Sequence, residues 1–455
     1  MRVFLSCLVC RIVTFVLHKL GRGATSMPGK VALKVKRNVL KDLSKNTKVI
    51  VVTGTNGKTT SCRILEEGLK KAGKSYFINK SGANLITGVT ASFIMNSTVT
   101  GKCKKDYAII ECDENAFKEV SRYIHCDVIL VTNVFRDQLD RYGEVTHTLN
   151  AIKESVKNLP NAIVCLDADC SLTYSMSKEI PNKIITFGVN VPFDKNAKAP
   201  EISDAKYCIF CKHEYDYTYH TYGHLGGFVC NNCGYKRPQP DFAVESVEEM
   251  KNDHSVVVAN LNGDRNIIKV NIGGAYNIYN AIGCAAALTA LGIEQKNIID
   301  AIENFNGAFG RMEHFKAGNN TVNLILVKNP AGFSQTMNFL KSIDDDFTLI
   351  LSLNDNAADG RDISWIWDVD SGIFDKPNVK ELYVTGKRCY DMAVRVKYEG
   401  VGNREIKIIE NEDYNKLVDV ATSQGRDVYI VPTYTSMMTM RPVIAKRLGG
   451  KDFWE

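Results

Sequence analysis

Val49-Ile50-Val51-Val52-Thr53-Gly54-Thr55-Asn56-Gly57-Lys58-Thr59-Thr60 is an apolar run that breaks into a glycine-bearing turn and then into a helical pattern. Residues 48–52 read as a buried strand and 59–71 as the helix behind the turn. Such a turn lets backbone N–H groups converge on phosphate oxygens, and the helix N-terminus adds partial positive charge. Lys58 can reach the outer phosphates of a nucleotide, and the Thr59 hydroxyl can face Mg2+. A Walker loop would need glycine at position 52, where this chain has Val52. The shorter TGTNGKTT form assigns Gly54, Thr55, Asn56, Gly57, Lys58, Thr59 and Thr60 to nucleotide phosphate. Glycine turns are commonly only structural; Lys-Thr directly after a buried strand sets this one apart.

Outward from the loop, short apolar runs at 107–110, 128–131, 163–166 and 184–186 read as further strands, with a helix at 145–158. This alternation predicts a mostly parallel sheet covered by helices. The rhythm stops over 205–240, a Cys-, Tyr- and Gly-rich stretch that reads as an insertion. It then resumes, with an alanine-rich helix at 276–291 ended by Gly292. Strands at 324–327, 349–353, 382–384, 406–409 and 428–431 form a second α/β unit. The expected division is a lead-in at 1–44, a central domain at 45–315 and a smaller C-terminal domain at 316–455.

The 455 residues carry a formal charge of +6, with 45% hydrophobic and 24% charged side chains, as in an ordinary soluble protein. That charge is too small to point to nucleic acid. Most of the 14 cysteines stand alone in apolar runs (Cys62, Cys112, Cys126, Cys165, Cys284), as small buried hydrophobes in a reducing cytoplasm. The apolar N-terminus, split by Arg11, falls short of the roughly 20 residues that span a bilayer. It reads as an amphipathic helix, either packed on the domain or resting on a membrane surface, with Cys7 and Cys10 as apolar filler. Cys208-Ile209-Phe210-Cys211 and Cys230-Asn231-Asn232-Cys233 are different. Two CxxC pairs at this separation have the spacing of a zinc ribbon, in which four thiolates close a structural Zn2+ site. His213, His220 and His224 lie between the pairs and read as surface or packing residues.

TGTNGKTT resembles the ATP loop of the Mur ligase family, and five further segments match in order. Ala108-Ile109-Ile110-Glu111 ends a strand with a carboxylate where the family places a Mg2+ ligand. The run Thr132-Asn133-Val134-Phe135-Arg136-Asp137-Gln138-Leu139-Asp140-Arg141-Tyr142-Gly143 resembles the family's TN…DH.D..G segment, and Leu166-Asp167-Ala168-Asp169 resembles its LNADD strand end. Gly274-Ala275-Tyr276-Asn277-Ile278-Tyr279-Asn280 resembles the helix start whose first Asn faces adenine, and Gly310-Arg311-Met312-Glu313 the turn whose Arg approaches ATP phosphate. The resemblance implies ATP as substrate, Mg2+ held by Thr59 and Glu111, and Lys58 and Arg311 on the transferring phosphoryl group. The family's metal-binding His is Gln138 here.

Only about 45 residues precede the loop, too few for the domain that amino-acid-adding members use to hold UDP. That shortening, the four cysteines and Leu353-Asn354-Asp355-Asn356-Ala357-Ala358-Asp359-Gly360-Arg361-Asp362 resemble the amidating branch of the family. Members of this branch activate the α-carboxylate of D-glutamate in lipid II, as an acyl phosphate, for amidation to D-isoglutamine. A GatD-like glutaminase partner supplies the ammonia, which implies a heterodimer. The resemblance also implies that an Asp of the C-terminal domain completes the partner's Cys-His pair: Asp362, or else Asp355. A cytoplasmic enzyme at the inner face of the bacterial membrane is expected. The alternative is a stand-alone amino-acid or folylpolyglutamate-like ligase of the same family, which would need an added amino acid for turnover. A non-catalytic zinc-ribbon protein that docks or binds nucleic acid would leave the phosphate loop and Arg311 without a purpose.

Overall fold

The strand before the phosphate turn lies inside the molecule's larger sheet, with a parallel neighbour on each side. The computed structural model describes residues 1–20, 26–79, 83–136, 145–193, 204–251, 253–305, 312–369, 372–402 and 404–449. Its chain forms two compact units: Met1–Phe135 with Glu144–Phe305, and Arg136–Gly143 with Asn306–Glu455.

In the first unit the strands are β1 (Lys48–Thr53), β2 (Tyr76–Ile78), β3 (Tyr107–Glu111), β4 (Val128–Val131), β5 (Ile163–Asp167) and β6 (Ile184–Val189). After them come β7 (Asp216–His220), β8 (Gly226–Val229), β9 (Phe242–Met250), β10 (Ser255–Leu261) and β11 (Asp264–Val270). Nine of these make one sheet in the order β11-β10-β9-β6-β5-β4-β1-β3-β2. Its pairs from β2 to β9 are parallel, and only the β9–β10–β11 meander is antiparallel. Val49, Ile50, Val51 and Val52 are fully buried, as a strand covered on both faces requires.

The helices α1 (Arg2–Lys19), α2 (Met27–Val35), α3 (Val39–Ser44), α4 (Lys58–Lys71), α5 (Ile86–Met95) and α6 (Glu114–Val120) accompany the first half of the sheet. α4 packs on the helices Ala275–Ala290 and Gln295–Glu303, and α6 on Val145–Lys157. The N-terminal helices form a layer of their own, with α1 against α2 and α5. Gly29 sets that packing, because a Cβ there would fall 1.8 Å from the Thr87 carbonyl oxygen. Ser6 fastens α1 by donating to the Ala32 carbonyl at 2.9 Å. Cys7 and Cys10 are fully buried, as apolar filler would be. Among the described residues no helix is long and apolar enough to cross a membrane.

The Cys-rich stretch leaves after β6 and forms a small sheet of its own from β7 and β8. β9 then pairs directly with β6, with Phe187 opposite Phe242 and Val189 opposite Val244. The insertion thus leaves the ladder unbroken.

The second unit holds β12 (Met312–Ala317), β13 (Asn320–Ile325), β14 (Phe347–Ser352), β15 (Val379–Thr385), β16 (Ile406–Ile409) and β17 (Asp427–Pro432). Their order is β12-β13-β17-β14-β15-β16, antiparallel only between β12 and β13. Every residue of β14 is buried, with one apolar cluster around Leu349 and Leu351 and another around Ile350. The alternation along a strand sends these to opposite faces, so the sheet is covered on both. The fold is therefore α/β in both units, with a four-cysteine insertion in the first.

Candidate nucleotide site and cysteine centre

The turn between β1 and α4 is shaped by two glycines with left-handed backbone, Gly54 (φ 120°) and Gly57 (φ 86°). Space as well as conformation excludes a side chain. A Cβ on Gly54 would meet Thr132 Oγ1 at 2.4 Å, and one on Gly57 would meet Asn280 Oδ1 at 2.1 Å. The segment after β4 clamps the loop. Thr132 Oγ1 donates to the Asn56 carbonyl at 2.7 Å, and Asn133 Oδ1 accepts from the Asn56 N–H at 3.0 Å. Thr55 N–H donates to the Asn133 carbonyl at 2.9 Å, while its hydroxyl exchanges bonds with the Phe135 backbone at 3.0 and 3.1 Å. Thr132-Asn133 thus fixes the shape of the phosphate turn.

Lys58 is buried at the start of α4. Its ammonium donates to the carbonyls of Gly54 at 2.5 Å and Thr55 at 3.3 Å, and to Glu114 Oε1 at 2.5 Å. Glu114 is only 2% exposed and opens α6, whose first turn is capped by Asp113 accepting from Asn115 and Ala116 N–H. Thr59 donates its hydroxyl to Glu111 Oε1 at 3.0 Å. Glu111 ends β3, and Asn79 brackets its backbone through two hydrogen bonds of 2.8 and 2.9 Å. Thr59 and Glu111 therefore present two hard oxygen donors at the loop, a set that fits Mg2+.

The predicted residues converge unevenly. Lys58, Thr59 and Glu111 come together, whereas Arg311 and Gln138 lie outside the described residues. Asn277 is buried; it donates to the Gly273 carbonyl at 2.6 Å and accepts from Asn280 at 2.9 Å. Sequence reasoning missed Glu114, and it held Asn280 only as the end of the helix-start segment, with no role at the loop. For the first, the sequence signals only that Asp113 caps a helix and puts Glu114 in its first turn.

Behind β5, Asp169 is wholly buried. Its Oδ1 accepts from Arg237 Nε at 2.6 Å and its Oδ2 from Val189 N–H at 2.9 Å and from the Tyr279 hydroxyl. Arg237 lies just past the last cysteine and Tyr279 on the helix that bears Asn277 and Asn280. One carboxylate thus fastens the insertion to the nucleotide-side helix. Asp167, also buried, takes no part in this pairing; burial and the neighbouring Asp169 push its carboxyl well above the usual range.

Ligand atoms of Cys208, Cys211, Cys230 and Cys233 all lie within 4.8 Å of one another. Cys208 to Cys233 is 3.6 Å and Cys211 to Cys230 is 3.4 Å. Four sulfurs at about 2.3 Å from zinc would stand about 3.8 Å apart, so the set fits. The two knuckles are built alike. Lys212 and Gly234, each following a second cysteine, have φ of 63° and 74°. Each donates its N–H to the backbone carbonyl of the first cysteine of its own pair, at 2.9 Å. His224 is buried on Cys170 at 3.3 Å, with its pKa pushed down to about 4 by burial, a packing residue.

In the second unit the loop after β14 is held by its inner residues. Asn354 donates to Glu412 at 2.9 Å, and Asp359 accepts from the Thr435 N–H at 2.7 Å. Asp355 is taken up by Arg388 at 2.9 Å. Asp362 is exposed, with one oxygen accepting from the Ser364 N–H at 2.8 Å, a bond that lowers its carboxyl below the ordinary range.

A Mur ligase middle domain model matches residues 52–233, and a MurT ligase C-terminal model matches 326–437. The chain is 35% identical to the lipid II isoglutaminyl synthase (glutamine-hydrolyzing) subunit MurT of Streptococcus pneumoniae, over 98% of both chains. To the subunit of that name from Staphylococcus aureus it is 31% identical, over 94% of this chain and 95% of the other. Among solved structures, MurF ligase from Thermotoga maritima in complex with ADP superposes with a TM-score of 0.61 at 14% identity, covering 92% of this chain and 84% of that one. Folylpolyglutamate synthase of the same organism gives 0.61 at 12% identity, over 92% and 93%. Those two likenesses establish the fold; the full-length identity establishes more. The chain belongs to the MurT family of Mur ligases.

Proposed function

We propose that this chain amidates the α-carboxylate of D-glutamate in the lipid II stem peptide, giving D-isoglutamine at the expense of ATP. The observation that carries the reading is end-to-end identity to a lipid II isoglutaminyl synthase subunit, in a chain whose Lys58, Thr59 and Glu111 meet at one loop. The substrate carboxylate attacks the γ-phosphorus of ATP and ADP leaves. Ammonia then attacks the acyl carbon of the acyl phosphate, phosphate leaves, and one proton is lost. Lys58 holds the transferring phosphoryl group with Arg311. Mg2+, when bound, neutralises phosphate charge, and Thr59 and Glu111 would hold it. Gly54, Thr55, Asn56, Gly57 and Thr60 line the phosphates, with Asn277 on the adenine side. Residues 45–315 are the ATP-binding domain in this reading, and 316–455 the C-terminal domain.

The ammonia comes from a GatD-like glutaminase subunit, and Asp362 serves that subunit's Cys-His pair. Zn2+, when bound to the four cysteines, closes the ribbon and takes no part in the chemistry. The work is done in the cytoplasm at the inner membrane face, where the lipid-linked substrate is presented. Purified chain supplied with ATP, lipid II and an ammonium salt should form amide and ADP in equal amounts. Turnover only when an amino acid is added would overturn the reading in favour of a stand-alone ligase.

A further inference from the structure

α1 buries one face and leaves the opposite one apolar. Ser6, Cys7 and Cys10 are its buried residues, against α2 and α5. Phe4, Leu5, Ile12, Phe15, Val16 and Leu20 are exposed, Phe15 at 68% and Leu20 at 66%. At roughly 100° per residue, Phe4, Leu5, Ile12, Phe15 and Val16 fall within an arc of about 120° opposite the buried stripe. A solvent-facing stripe of this size, unbroken by any acid, marks a surface with a partner.

Charge says which partner. The first 41 residues hold nine of the chain's 57 lysines and arginines and none of its 51 acids. The remainder has 48 basic against 51 acidic residues, so the whole net positive charge of +6 comes from this segment. Arg2 and Lys19 are exposed at the two ends of α1, and Lys30, Lys34 and Arg37 are exposed on or just after α2, which packs on it. An exposed apolar stripe on a segment that carries exposed cations and no acid matches a bilayer with anionic headgroups: aromatic and aliphatic side chains enter the acyl boundary and the cations meet the phosphates.

We infer that the outward face of α1, with the cations of α2, seats this protein on an anionic membrane surface. The inference rests on the lipid-linked substrate proposed above and adds to it the face that docks. The helix lies in the interface without crossing it, so the attachment is reversible and weakens with salt.

The full chain would be sedimented with vesicles of phosphatidylethanolamine and phosphatidylglycerol, and with vesicles of phosphatidylcholine alone. Binding to the anionic vesicles should be at least about tenfold tighter, and should fall as salt rises. Replacing Ile12→Asp and Phe15→Asp together should cut it by about tenfold or more. Both side chains are exposed, so an unchanged melting temperature should confirm the fold. Lys30→Glu with Lys34→Glu should abolish the preference for anionic lipid. Absence of binding, binding indifferent to the double variant, or a dimer or glutaminase complex dispersed by that variant would each overturn the inference. Amidation of a lipid-free stem-peptide substrate with ATP and ammonium separates the two readings. The α1 variants should leave it untouched, and failure of the parent chain on that substrate would sink the amidation reading alone.

Discussion

The Lys58 ammonium sits 2.5 Å from the Glu114 carboxylate, and both side chains are nearly out of solvent. The ion pair holds the Lys58 ammonium against the Gly54 and Thr55 carbonyls of the loop with its charge compensated. Removing one member of a buried pair costs about 3–5 kcal/mol, while removing both costs far less. Lys58→Met and Glu114→Gln should each lower the urea-unfolding free energy, and the double variant should lower it by less than the sum of the two. A coupling below about 0.5 kcal/mol would mean that the pair adds nothing to the fold. Lys58→Met should also cut ATP turnover by about 100-fold or more.

The sulfur geometry predicts one zinc per chain by elemental analysis. Cys230→Ser should lose it and lower the melting temperature, because structural zinc contributes directly to folding. Cobalt substitution should give the absorption of a tetrahedral thiolate site. A metal-free chain of undiminished stability would count against the assignment.

Asp167 carries the pH dependence. Its Oδ1 accepts from the Asp169 N–H at 2.9 Å, and its buried Oδ2 has no hydrogen-bond partner among the described residues. Burial, then the neighbouring Asp169, raises its folded pKa above the unfolded value near about 3.9. The folded state therefore binds the extra proton, and the stability it contributes is lost as pH rises from about 4 through the folded pKa. Asp167→Asn should gain stability over the parent, and gain more at about pH 8 than at about pH 5 in urea unfolding. A gap that stays constant or shrinks would contradict this.

Asp362 and Asp355 separate by what they already touch. Arg388 occupies Asp355, while Asp362 is exposed and fixed by one backbone N–H. An Asp that orients a catalytic His is worth about 10²–10⁴ in rate. Asp362→Ala should lower glutamine-driven amidation in the complex by that order and leave ammonium-driven amidation unchanged. Asp355→Ala should change neither reaction. Equal loss with both nitrogen sources would remove Asp362 from the glutaminase chemistry.

Much of the fold was legible because it is built of fully buried parallel strands, which read as unbroken apolar runs such as 49–52 and 349–353. The β9–β10–β11 meander was not, since strands such as β11 are exposed on one face and their charged residues obscure the run. The loop and the four cysteines were legible because their chemistry demands fixed local spacing. Glu114 and Asn280 were not legible as loop contacts. They reach the loop from 56 and 223 residues beyond Lys58 and Gly57, and no local pattern records such a meeting. Asp169 was seen only as part of a strand end; its bonds to Arg237 and Tyr279 exist only once the insertion has closed.

The direct pairing of β6 with β9 has a kinetic side. Fifty-two residues separate Val189 from Phe242, and those two strands must find each other across that span. A cation captured by the two knuckles early in folding would tie position 208 to position 233 and take the chain between them out of the search. The effective loop would then be roughly halved, a gain of about 0.6 kcal/mol in closure entropy before the sheet has formed. A metal in that role would be an assembly jig, setting how fast the central sheet completes as well as how firmly the ribbon holds.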